Sequence, residues 1–101
     1  FGEQKLAALA RLIATEADVL LLDEPASGVD VQWVNRILEL IRRLAGAGKT
    51  VCIVEHNLEV VTAVADRAYF MEAGRIIAEG RPEDLMADPR LGEIYFGKAR
   101  R

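Results

Sequence analysis

Two adjacent carboxylates, Asp23 and Glu24, follow directly on the aliphatic run Val19 to Leu22 and are followed at once by Pro25. Neighbouring carboxylates repel and need water, a proton or a cation, so ending an apolar run on them costs stability unless something offsets it. A second chemically capable pair, Glu55 and His56, ends a second apolar run that starts at Thr50. A divalent cation would relieve the repulsion at the first pair, with Asp23 bound directly or through water and Glu24 free to orient a second water. The plain alternative for an acidic pair at a strand end is a solvated loop start, and for one histidine a surface or core position. Matching positions at the ends of two strands favour a site.

The elements that would hold these residues read clearly. Leu6, Leu9, Ala10, Ile13 and Ala14 recur at helical spacing and predict an amphipathic helix over about 3–15. Val19 to Leu22 is a continuous apolar run, as expected for a strand buried on both faces of a parallel sheet. Asp30 can cap a second helix whose stripe, Val31, Val34, Ile37, Leu38, Ile41 and Leu44, runs until Gly46 and Gly48 end it. "TVCIVE", Thr50 to Glu55, reads as a second buried strand, and strand, helix, strand in this order implies a parallel pair with a right-handed crossover. Asn57 can cap a third helix to about Ala65, and "RAYFMEAGRIIAEG" reads as a hairpin turning at Ala73 and Gly74. Pro82 and Pro89 look like first-turn residues of two short helices, with Asp88 as a cap for the second. The fold class is therefore α/β: parallel strands with crossover helices, then a β-hairpin and short helices. Ligands of such sheets bind beyond the carboxyl ends of the strands, where both reactive pairs lie. Pro25 has no N–H for the ladder and should leave both carboxylates at the rim.

Composition bounds what the chain can be. Its 101 residues suffice for about one domain with a modest core, and 51% apolar with 29% charged residues marks a globular rather than a disordered chain. No apolar run approaches the length of a membrane span, and no basic-then-apolar signal pattern opens the chain. A net charge of −3 supplies no field for nucleic acid, although the closing "KARR" could form a local basic patch. The single cysteine, Cys52, excludes an internal disulfide and reads as a small core residue rather than a reactive thiol.

"VLLLDEPASGVD" resembles the Walker B strand, catalytic glutamate and D-loop of the ABC-type ATPases, and "VEHN" resembles the strand end that carries their switch histidine. "FGEQ" at the start is similar to the tail of their signature motif, without its usual leucine and serine upstream. The resemblance covers the whole chain, and its motifs occur in the family's order. It implies that Asp23 helps hold Mg2+, that Glu24 polarises the attacking water, and that His56 contacts the γ-phosphate of ATP. It also implies that Ser27, Gly28 and Asp30 form a loop crossing to a second ATPase subunit. Gly2, Glu3 and Gln4 would then present a helix N-terminus to nucleotide held by that partner. The tail, with "EGRPEDL" and "EIYFG", resembles the ATP-binding subunits of bacterial branched-chain amino acid importers. The implied partners are transmembrane permease subunits and a second ATPase subunit, with no nucleic acid. The implied location is cytoplasmic, peripheral on the inner face of the cell membrane.

The phosphate grip, the glutamine loop and the adenine-stacking aromatic that the family places upstream are not found in these residues. The family's Walker A loop, G-x-x-x-x-G-K-[ST], wraps phosphates with backbone amides and a lysine. The tempting "AGAGKT" has Arg43 where the first glycine belongs, and it follows a helix and opens a strand, the reverse of the required order. The reading is of the C-terminal portion of a P-loop NTPase, residues 1–101 forming a partial nucleotide-binding domain that is inactive by itself. The family places its Walker A strand between the histidine strand and the one matching Arg67 to Glu72, so that slot is expected to be empty, leaving unpaired edges. Two other readings compete: a truncated, non-catalytic module that pairs or folds with a partner, and an ATPase of the DNA-repair and chromosome-structure type. The latter is disfavoured by the lack of coiled-coil heptads.

Overall fold

In the computed structural model, residues 2–91 are described, Gly2 by its backbone only. The segment "EIYFG", the closing "KARR" and Phe1 of "FGEQ" lie outside the described residues. Two compact units divide the chain, one ending at Val64 and one starting at Ala65.

The first unit runs α1 (Gly2–Ala14), β1 (Val19–Asp23), α2 (Val31–Gly46), β2 (Thr50–Val54), α3 (Leu58–Val64). The strands pair in parallel from Val19 opposite Thr50 to Asp23 opposite Val54, with α2 as the crossover. Leu9 of α1, Leu22 of β1 and Ile37 and Ile41 of α2 form the core, and Ile37 is fully buried. Burying a side chain of that size is worth about 2 kcal/mol.

The sheet differs from expectation in one respect: within this unit only one of its faces is covered. Leu20 and Leu22 are buried while Val19, Leu21 and Val54 are exposed. An apolar run suited to both faces of a parallel sheet needs layers on both sides, and α1 and α2 supply one. Cys52, paired with Leu21, lies on the open face and is exposed, so it is not a core residue here.

The helix ends follow local chemistry. Asp30 occupies the N-cap of α2 but makes no side-chain cap bond; its backbone carbonyl accepts from the N–H groups of Trp33 and Val34 instead. Asn57 does cap α3 through its side chain, Oδ1 accepting from Glu59 N–H at 3.0 Å. At the C-terminus of α2, Gly48 adopts φ +91° while Lys49 N–H reaches back to the Leu44 carbonyl and Gly48 N–H to that of Ala45. This is the Schellman arrangement, which wants glycine at the left-handed position. The "AGAGKT" segment is thus a helix stop and a strand start, and Lys49 Nζ donates to the Ala17 carbonyl at 2.7 Å. Gly48→Ala should lower stability by about 1 kcal/mol, because a Cβ there meets no atom yet pays the left-handed penalty. Urea denaturation of the two proteins measures it, and equal midpoints would contradict the cap.

The second unit is an antiparallel hairpin, β3 (Ala68–Glu72) and β4 (Arg75–Gly80), then α4 (Pro82–Met86) and α5 (Pro89–Leu91). Ala73 (φ 51°) and Gly74 (φ 78°) both turn left-handed, the pattern of a two-residue turn that matches strand twist. Both prolines sit in first turns as expected. The Asp88 carboxylate accepts from the Arg90 guanidinium at 3.2 Å and from its N–H at 2.9 Å. These bonds, the side-chain one foremost, hold the Asp88 carboxyl below its usual range. Their stabilisation is present at neutral pH and is lost as pH falls through that lowered value. Among the described residues each unit carries its own two-stranded sheet with unpaired edges.

Candidate functional site

The site starts where β1 stops. Glu24 N–H donates the last ladder bond, to the Val54 carbonyl at 2.7 Å, and Pro25 then turns the chain away. Glu24 itself has φ 47°, a left-handed conformation that costs a residue with a Cβ about 1–2 kcal/mol. Its carbonyl accepts from Ser27 N–H at 3.1 Å and from Lys5 Nζ at 2.8 Å, tying the turn to the first helix. Glu55 lies just past the end of β2, and its Oε2 accepts from Ala26 N–H at 3.3 Å.

His56 follows, and its Nδ1–H donates to Glu24 Oε1. The histidine side chain is 78% exposed and that of Glu24 42%, so the pair lies at the rim, open to a ligand. With Nδ1 occupied, Nε2 of the imidazole remains for a second partner. One ligand atom each from Glu24, Glu55 and His56 lie within 4.8 Å of one another.

The other expected site residues are placed as follows. Asp23 is the last residue of β1, exposed, and its carboxylate makes no ion pair or hydrogen bond among the described residues. It is not part of the Glu24, Glu55 and His56 group. A hard cation such as Mg2+ favours oxygen ligands and takes few carboxylates when phosphates complete its shell. The Asp23 carboxylate, exposed at the end of β1, fits that demand better than the histidine-containing group does. Ser27 and Gly28 (φ 70°) are exposed in the turn after Pro25, and Asp30 is exposed at the start of α2. Gly2 opens α1, with Glu3 and Gln4 exposed in its first turn. The structure thus brings Glu24 and His56 into contact, and among the described residues it leaves the neighbouring Asp23 carboxylate without a hydrogen bond or ion pair. Sequence reasoning missed Lys5, and it noted Glu55 without foreseeing its bond to the loop.

The chain is similar to known proteins over most of its length. A family model described as "AAA domain, putative AbiEii toxin, Type IV TA system" matches residues 1–61. The L-cystine transport system ATP-binding protein TcyN of Escherichia coli is 43% identical over 88 residues, 87% of this chain and 35% of TcyN. The probable branched-chain amino acid transport ATP-binding protein LivG of Archaeoglobus fulgidus is 38% identical over 96 residues, 95% of this chain and 37% of LivG. Among solved structures, the ADP conformation of MJ1267, an ATP-binding cassette of an ABC transporter, superposes with a TM-score of 0.83 at 35% identity. That match covers 96% of this chain and 40% of MJ1267.

The chain belongs to the ABC transporter ATP-binding protein family. Its fold is that of an ABC ATPase cassette, a P-loop NTPase. The chain spans about a third of the length of the curated relatives it matches. The family model stops at residue 61, short of the hairpin, whereas the TcyN and LivG alignments take in 87% and 95% of the chain. The transporter relatives therefore describe more of this molecule than the toxin wording does. TcyN and LivG carry different cargoes in their names, so membership extends to the ABC ATP-binding proteins and not to one substrate group. Among the described residues no helix is long and apolar enough to cross a membrane.

Proposed function

We propose that these residues form the hydrolytic portion of an ATP-binding subunit that powers an ABC-type importer. The observation that carries the reading is the Glu24–His56 pair, held at the rim of adjacent parallel strand ends next to the exposed Asp23 that closes β1. Phosphoryl transfer to water is mostly charge stabilisation and water positioning, and the three side chains divide that work. Glu24 offers a half-exposed carboxylate that orients and accepts a proton from the attacking water. His56 donates through Nδ1–H to Glu24, and as the imidazolium it would also present an Nε2–H donor to the phosphoryl oxygens. Asp23 would hold Mg2+, which when bound neutralises charge on the phosphates.

The remaining expected residues act at a subunit boundary in this reading. Gly2, Glu3 and Gln4 open a 13-residue helix, whose free amides and positive dipole end favour phosphate held by a second subunit. Ser27, Gly28 and Asp30, exposed after the Glu24 turn, reach toward the same partner. Transmembrane permease subunits complete the assembly at the inner face of the membrane. Branched-chain amino acids are the proposed cargo, supported by "EGRPEDL" and by the LivG similarity. Uptake assays with labelled leucine and cystine decide between the cargoes that the two relatives name.

His56→Ala tests the division of labour. In a complete subunit it should lower kcat for ATP hydrolysis by about 10²-fold while changing nucleotide affinity by less than about fivefold, since the lost contact is to the group in transfer. Joint loss of binding and folding would make His56 a structural residue instead.

A further inference from the structure

We propose that Lys5 and Glu55 are positioning residues: together they clamp the left-handed Glu24 turn and so set the direction of the Glu24 carboxylate. The inference rests on the reading of Glu24 as the water-orienting group and adds what holds it there.

A residue at φ 47° relaxes toward ordinary backbone unless its surroundings hold it, and relaxation would swing the Cβ of Glu24 and everything beyond it. The N–H of Glu24 is fixed by the Val54 carbonyl, as the last rung of the ladder. Its carbonyl is fixed by the Lys5 ammonium at 2.8 Å, reaching from one turn into α1. Two residues on, the Ala26 N–H is fixed by the Glu55 carboxylate at 3.3 Å, from just beyond β2. Each of these two side-chain bonds joins an ionised group to a backbone dipole, which makes it stronger than a neutral pair. Lys5 and Glu55 are both partly buried, which limits screening by salt.

Glu55 has a second effect on the same geometry. It lies close enough to compete with Glu24 for His56, since the three ligand atoms fall within 4.8 Å. The Ala26 N–H engages its Oε2, and the imidazole pairs with Glu24. Two residues that do not touch the reacting atoms in this account therefore decide where the catalytic pair points.

The test is steady-state ATP hydrolysis, ATP affinity and thermal midpoint in a complete ATP-binding subunit containing this chain. Lys5→Met removes the donor and keeps the stem, and Glu55→Ala removes the acceptor. Each should lower kcat about 10- to 100-fold, the effect of a sub-ångström to 1 Å misplacement, with ATP affinity within about threefold of the parent. Lys5→Arg and Glu55→Gln keep a donor and an acceptor and should recover most of the loss. The double variant should lose less than the product of the single losses, because both act on one turn. The proposal is overturned if either single variant keeps kcat within about threefold, if kcat falls only together with affinity and folding, or if Glu55→Gln is as damaging as Glu55→Ala. Glu24→Gln run alongside separates the two levels. Normal turnover in that variant overturns the reading of Glu24 and the clamp with it. Its loss, with Lys5→Met and Glu55→Ala unaffected, overturns the clamp alone.

Discussion

Glu24→Gln in a complete subunit should lower kcat for ATP hydrolysis by at least about 10²-fold, some 3 kcal/mol of transition-state stabilisation, with ATP affinity nearly unchanged. The amide keeps the shape of the side chain and can still meet His56, so the turn at φ 47° has no reason to rearrange. What it loses is the charge that orients water and the capacity to take its proton. Nucleotide is then bound but not consumed, and subunits should accumulate as an ATP-bound dimer visible by size-exclusion chromatography. Turnover within a few-fold of the parent would remove Glu24 from the catalytic role.

Gly2→Asp should act on the other side of the boundary. Gly2 is the first residue of α1, and a glycine there lets backbone amides approach phosphate without a side chain in the way. Aspartate adds bulk and a negative charge facing phosphate, so ATP-driven dimerisation and hydrolysis should be lost while the monomer still binds nucleotide. Measured on a background that cannot hydrolyse ATP, the variant should elute as a monomer where the parent elutes as a dimer. Normal ATP-dependent dimers would show that the α1 N-terminus does not meet nucleotide across the boundary.

Much of this arrangement is legible in residue order because it rests on local chemistry. Alternation, caps and turns placed the elements of the described residues near where they are observed: Asn57 caps α3, Gly48 stops α2, and Ala73–Gly74 turns the hairpin. The approach of Glu24 and His56 has the same origin, since Glu24 directly follows β1 and His56 lies two residues past β2, at the ends of two strands whose order and direction the apolar runs announce. Burial was less legible. The run from Val19 to Leu22 is apolar at every position, and nothing in it says that Leu21 and its neighbour Cys52 face a side without a covering layer in this unit. Side-chain bonds to backbone were not legible at all. Lys5 bonds the carbonyl of Glu24, a residue in left-handed conformation, and Glu55 bonds the N–H of Ala26, the residue after Pro25. Such contacts depend on loop conformation, which carries no period for a pattern to reveal. Asp30 illustrates the same limit: the position of the cap was readable, and its reliance on backbone rather than side chain was not.

The central claim is that this chain brings the hydrolytic carboxylate to a cassette whose phosphate grip lies elsewhere. The most direct measurement joins the chain behind the upstream portion of the MJ1267 cassette, which it matches with a TM-score of 0.83, and records ATP turnover with and without Glu24→Gln. The account predicts that the joined protein binds and hydrolyses ATP, and that the substitution leaves binding intact while slowing turnover at least about 10²-fold. A folded, ATP-binding joined protein whose turnover is the same with glutamate and with glutamine at this position would contradict it.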